Sequence, residues 1–186
     1  MKIFSKLLIV LLLLINIGCG SSSSKNKNMQ GWKTLEENAY SIQYPPEWEL
    51  DKNGQMNTHF VLFSPLVSHQ DHFSENINLI IQDLSGLSID LERYTEISEE
   101  QIKTLIDNSI ILKNDRIKNN SEEYQRVLFT GDQGNFHLIF EQHYYVWDNK
   151  AYVLTFTCEE SNYKDYQDIG ERILNSFVIK KSGVPI

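Results

Sequence analysis

Three long runs of strand-forming residues stand almost end to end between Glu122 and Cys158: EEYQRVLFTG, FHLIFEQHYYVW and KAYVLTFTC. The joints between them, Gly131-Asp132-Gln133-Gly134-Asn135 and Asp148-Asn149-Lys150, are short and made of turn residues. Strands joined so tightly pair only as antiparallel hairpins, because a parallel connection needs a crossover of a dozen or more residues. The chain is therefore committed to an antiparallel sheet at least three strands wide, and the rest of the sequence must cover it.

Other strand signals precede this meander. AYSIQY alternates from Ala39 and meets Pro45-Pro46, after which EWEL carries Trp48 and Leu50; a strand, a rigid proline corner and a short second strand follow. THFVLFSP is a strand stopped at Pro65, and NINLIIQDL sets Ile77, Leu79 and Ile81 on one face. The period then changes to helical spacing, which predicts a helix from Asp90 to Asn108 in two pieces divided at Ser98, with Ser98 and Gln101 as a capping box. KNDRIKNN, from Lys113, reads as a polar turn. The clearest helix carries Tyr163, Tyr166, Ile169, Ile173, Leu174 and Phe177 on one stripe, with Ser161 or Asn162 to cap it and Gly170 to let it approach the sheet. The expected class is α+β, an antiparallel sheet flanked by helices.

The first residues belong to no such element. Lys2 and Lys6 precede an apolar run from Leu7 to Ile15, too short for a membrane span of ~20 residues and suited to a signal-peptide core. Gly18-Cys19 then looks like a bacterial lipobox, although Asn16 stands where such signals most often have Leu. Residues 1–19 are read as a lipoprotein signal with Cys19 lipidated, an ordinary secretory signal being the alternative. Acyl chains at ~0.8 kcal/mol per buried methylene would hold the chain at a membrane surface. Residues 20–30 form a Ser/Asn/Lys-rich tether, 31–180 a single domain, and 181–186 a tail. Gly20 after Cys19 points to the outer membrane in a cell with two membranes.

Removing Lys2 and Lys6 takes the 17 basic residues to 15 against 25 acidic ones, a formal charge of −10. That surface repels phosphate backbones, so nucleic acid is not an expected partner. With Cys19 acylated, Cys158 is the one thiol left and no internal disulfide forms; alternation places it with Tyr152, Leu154 and Phe156, a packing role.

No spacing identifies a reaction centre. His69, Asp71 and His72 in SHQDHF are weak ligands for zinc or manganese, and a solvated loop explains them equally well. Period-two geometry puts His137, Glu141 and His143 on one strand face, together with Ile139, Tyr145 and Trp147; this is a second weak metal or acid–base candidate, and Tyr145 and Trp147 are the aromatic residues for a ligand surface. GDQGN lacks the GK[ST] of a phosphate loop, no GxSxG elbow occurs, and no cofactor motif is present.

AYSIQYPPEWEL, the strand–helix order that follows, and KAYVLTFTCEE before a helix ending ILNSFVIK together resemble the PsbP-like domains over nearly all of residues 32–180. The resemblance implies an α/β/α sandwich around an antiparallel sheet, and it implies no catalytic residue or shared activity. The expected function is a lipid-anchored cell-envelope protein with a non-enzymatic binding or assembly domain and an envelope protein partner. A small-ligand or metal carrier is the alternative, and a hydrolase a third.

Overall fold

The computed structural model describes residues 31–68, 71–118 and 122–181. Cys19, the tether and His69 lie outside them. In chain order the elements are β1 (Lys33–Glu36), β2 (Tyr40–Tyr44), β3 (Glu49–Asp51), β4 (Thr58–Phe63), β5 (Asn76–Asp83), α1 (Leu91–Leu105), β6 (Asp107–Lys118), β7 (Glu123–Gln133), β8 (Phe136–Trp147), β9 (Lys150–Glu159), α2 (Tyr163–Leu174) and β10 (Val178–Ile179). The main sheet has seven strands in the order β3-β4-β5-β9-β8-β7-β6, and every neighbouring pair is antiparallel. A second sheet, β1-β2-β10, ties both ends of the domain together.

The expected meander is present as β7, β8 and β9. Asp148 and Asn149 both adopt positive φ in the two-residue β8–β9 turn, the conformation that matches strand twist and favours Asn and Asp. Each strand then shows its odd and even residues to different covers. Tyr152, Leu154, Phe156 and Cys158 meet α2 and the small sheet, whereas Ala151 and Val153 meet the α1 side with Phe129, Phe140 and Tyr144. Both faces are buried, and each large side chain so covered contributes roughly 1.5–3 kcal/mol.

The covers are fixed by specific contacts. A Cβ on Gly170 would fall 2.6 Å from the Phe156 ring, so glycine is what allows α2 to lie on β9. The α1 face holds Tyr94 edge-on to Tyr144 at 5.5 Å, with the Tyr94 hydroxyl donating to Gln82 Oε1 at 2.7 Å.

Three expectations change. The helix near Ser98 is one continuous α1, capped by Asp90, whose carboxylate accepts from the Arg93 N–H at 2.8 Å. Ser98 is interior to it, and its hydroxyl donates to the Tyr94 carbonyl at 2.8 Å. The helix ends at Leu105, and KNDRIK is not a turn: it is the second half of β6, a 12-residue strand at the sheet edge. Gly131, read as part of a turn, lies within β7, where a Cβ would meet Ile106 Cγ2 at 2.4 Å as the α1–β6 corner passes.

Candidate functional site

The residues singled out along FHLIFEQHYYVW part company in the fold. Glu141 and His143 touch, with His143 Nε2 2.9 Å from Glu141 Oε1. His137 does not join them: it sits four residues away at the hairpin end, about 13 Å along the strand. There its Nδ1 pairs with Asp132 and its Nε2 lies 3.2 Å from Glu160 Oε2. The hydrogen bond to Asp132 leads the effects that raise the His137 pKa above the ordinary imidazole value. Tyr145 is 5 % exposed, stacked on Tyr124 with Phe177 tilted against it, while Trp147 is 43 % exposed with Lys181 over its ring at 4.8 Å.

Glu141 is the centre of a buried charge network beneath α2. It is 2 % exposed, and Arg126 from the neighbouring strand sets Nε 2.9 Å from its Oε1 without hydrogen-bond direction and donates from Nη2 to Oε2 at 3.2 Å. The same Nη2 reaches Glu171 of α2 at 3.0 Å, and Gln167 donates to that carboxylate at 3.0 Å. Burial alone would raise the Glu141 carboxyl, but the hydrogen bond and charge of His143, joined by Arg126, outweigh it and hold the pKa below the ordinary value. A carboxylate so committed is a poor proton acceptor for a substrate. Its geometry instead locks α2 to the sheet.

A second buried cluster joins the β4–β5 connection to the β9–α2 connection. Glu75, 1 % exposed, accepts from the Ser64 hydroxyl at 3.1 Å and the Asn162 amide at 3.3 Å, and the Cys158 thiol lies 3.8 Å away. Asn162 therefore spends its side chain on Glu75 and Glu159 rather than capping α2. Burial raises the Glu75 pKa, only partly offset by its hydrogen bonds, and burial with the Glu75 charge pushes the Cys158 thiol far up. Such a thiol is protonated and inert as a nucleophile.

The loop candidates act as turn formers. The Asp71 carboxylate accepts from the backbone N–H groups of Val67 at 3.0 Å and Phe73 at 3.2 Å, and His72 is exposed beside it. Among the described residues no three His, Cys, Asp or Glu side chains are arranged to hold a metal ion.

Sequence reasoning did not find the surface groove of about 390 Å³ between the small sheet and strands β4, β5 and β9. Tyr40, Tyr152 and Ile81 supply its apolar wall; His59, Asp83 and Lys150 supply polar groups. Tyr40 meets His59 edge-on at 6.4 Å, and burial, followed by the charge of Glu37, pushes its hydroxyl up to about 12. Burial also lowers the His59 pKa, leaving a neutral imidazole available for hydrogen bonding. No local motif announces this groove, because its residues come from four strands that only the sheet order brings together.

Fold and interior together define a class: an α+β sandwich whose central antiparallel sheet buries charge networks for its own cohesion. Solved structures place that class. The chain is similar to cyanobacterial PsbP, CyanoP, from Synechocystis sp. PCC 6803, at 14% identity and TM-score 0.60, over 86% of this chain and 98% of that one. It is also similar to PA94, a protein of unknown function from Pseudomonas aeruginosa, at 9% identity and TM-score 0.59, over 81% and 99%. A third is LpqN, described as involved in cell envelope biogenesis of Mycobacterium tuberculosis, at 10% identity and TM-score 0.59, over 81% and 91%. The fold is the PsbP-like fold that the sequence motifs imply. No family model and no curated protein sequence matches the chain.

Proposed function

We propose that this chain is a non-enzymatic PsbP-like domain, lipid-anchored through Cys19 in the cell envelope, that binds another envelope protein or helps a complex assemble. The observation that carries the reading is the fate of the reactive side chains. Glu141 is paired with Arg126 and hydrogen-bonded to His143, and Cys158 is a buried protonated thiol. Glu141 serves to hold α2 on the sheet, which leaves the surface as the functional part. The likeness to LpqN supports an envelope setting, and none of the three similar proteins is described as an enzyme.

The test is capture of partners from detergent-solubilised envelope, in parallel with turnover assays on a panel of ester, peptide and glycoside substrates. The account expects a stoichiometric partner and no turnover. Specific turnover abolished by one substitution would overturn it.

The groove at Tyr40 and Tyr152 favours a second reading, a small-ligand carrier, because an aromatic wall with a few polar groups is the usual make-up of such sites. Native mass spectrometry separates the two: a small molecule co-purifying with wild type and lost in Tyr152→Ala supports the carrier, and an empty chain counts against it.

A further inference from the structure

We propose that the free edge of β6 pairs with β6 of a second copy, antiparallel about a two-fold axis, to give one continuous sheet. This rests on different residues from the reading above. Among the described residues β6 has one neighbour, β7, although it runs for 12 residues, and its outer backbone groups face solvent. Edge strands of this length are templates for another strand. In a chain this acidic, β6 also presents Ile110 at 60 % and Leu112 at 50 % exposure.

The charges choose the occupant and the register. Four charged residues lie between Lys113 and Lys118. Two are satisfied within the chain: Arg116 and Lys118 lie 3.6 and 3.4 Å from Glu123 of β7. Lys113 and Asp115 have no ion pair within 4 Å among the described residues; Asp115 stands opposite Arg126, whose guanidinium is turned to Glu141 and Glu171. Lys113 and Asp115 flank Asn114. Pairing centred on Asn114 sets Asn114 against itself and places each Lys113 opposite an Asp115, twice over, on one face of the sheet. Centring one residue earlier sets Lys113 against Lys113; one residue later sets Asp115 against Asp115. Only the Asn114 register satisfies both unmatched charges.

The rest of the edge limits the assembly. The ladder to β7 slips between Ile111 and Lys113, a bulge that bends the strand; about a two-fold at Asn114 it limits regular pairing between copies to the stretch around Lys113–Asp115. The opposite edge of the sheet, β3, is three residues long. A two-fold contact through β6 therefore closes a dimer and offers little for a filament.

The test uses the full chain in density-matched detergent, followed by sedimentation equilibrium. Wild type is expected to show a concentration-dependent dimer. Lys113→Asp or Asp115→Lys creates two like-charge contacts and should weaken it by about tenfold or more, each tenfold being about 1.4 kcal/mol; the two changes combined should restore it. Register is read by oxidation in a Cys19→Ser background. Asn114→Cys brings its own copy within disulfide range, since directly opposed strand residues lie about 4.5–5.5 Å apart. Lys118→Cys stands about 27 Å from its copy and should not cross-link. A monomer at all concentrations, equal cross-linking at both positions, or a double swap that fails to restore the dimer would overturn the proposal.

Discussion

Individual buried carboxylates show how environment decides role. Glu75 and Glu141 are both almost fully buried, yet one lacks a cationic partner among the described residues and the other has Arg126 beside it. Their titrations shift in opposite directions. Because the Glu75 pKa is raised in the folded state, the folded chain holds a proton there that the unfolded chain has released, and stability from this group falls as pH rises through that window. Glu75→Gln should flatten the decline, so the gain in urea midpoint over wild type should be larger at pH 8 than at pH 5. Removing the cation from the other site has the reverse character: Arg126→Ala leaves Glu141 buried with His143 alone beside it, at a cost of up to about 3–5 kcal/mol in chemical denaturation. Sequence alone set Glu141 beside His143 because strand period is local. It missed Glu75 against Cys158, which are 83 positions apart and meet only through the β5–β9 pairing.

Among elements, the two helices and the edge strand were unequally legible. The α2 stripe was plain because each apolar position faces one sheet, and Gly170 stood out as the point of approach. Gly170→Ala raises helix propensity by ~1 kcal/mol, but its Cβ would strike Phe156; the collision should prevail and lower stability by about 1–3 kcal/mol in thermal unfolding. In α1 the cap was misplaced because Ser98 resembles a helix start, whereas Asp90 holds the cap. Asp90→Ala should cost about 1 kcal/mol by the same measurement, and Ser98 substitution should not move the helix boundary seen in hydrogen exchange. β6 escaped notice for a physical reason: it is solvated along most of its length, so no alternation records its pairing, and the bulge at Leu112 resets its parity halfway. β1 and β10, four and two residues long, carry too little pattern to be read at all.

At the scale of the molecule, a PsbP-like fold is joined to a proposed membrane anchor. The domain's organisation was legible because the meander and the α2 stripe are strong periodic signals; the surface groove was not, because it depends on how four strands are ordered. The proposal that the domain works at a membrane rests on Cys19 and the residues around it. Metabolic labelling of expressing cells with an alkyne fatty acid tests this most directly, with fractionation of the labelled protein. Wild type is predicted to carry the label and to sediment with membranes, and Cys19→Ser to lose both. Label retained by Cys19→Ser, or an unlabelled wild-type chain, would contradict the account.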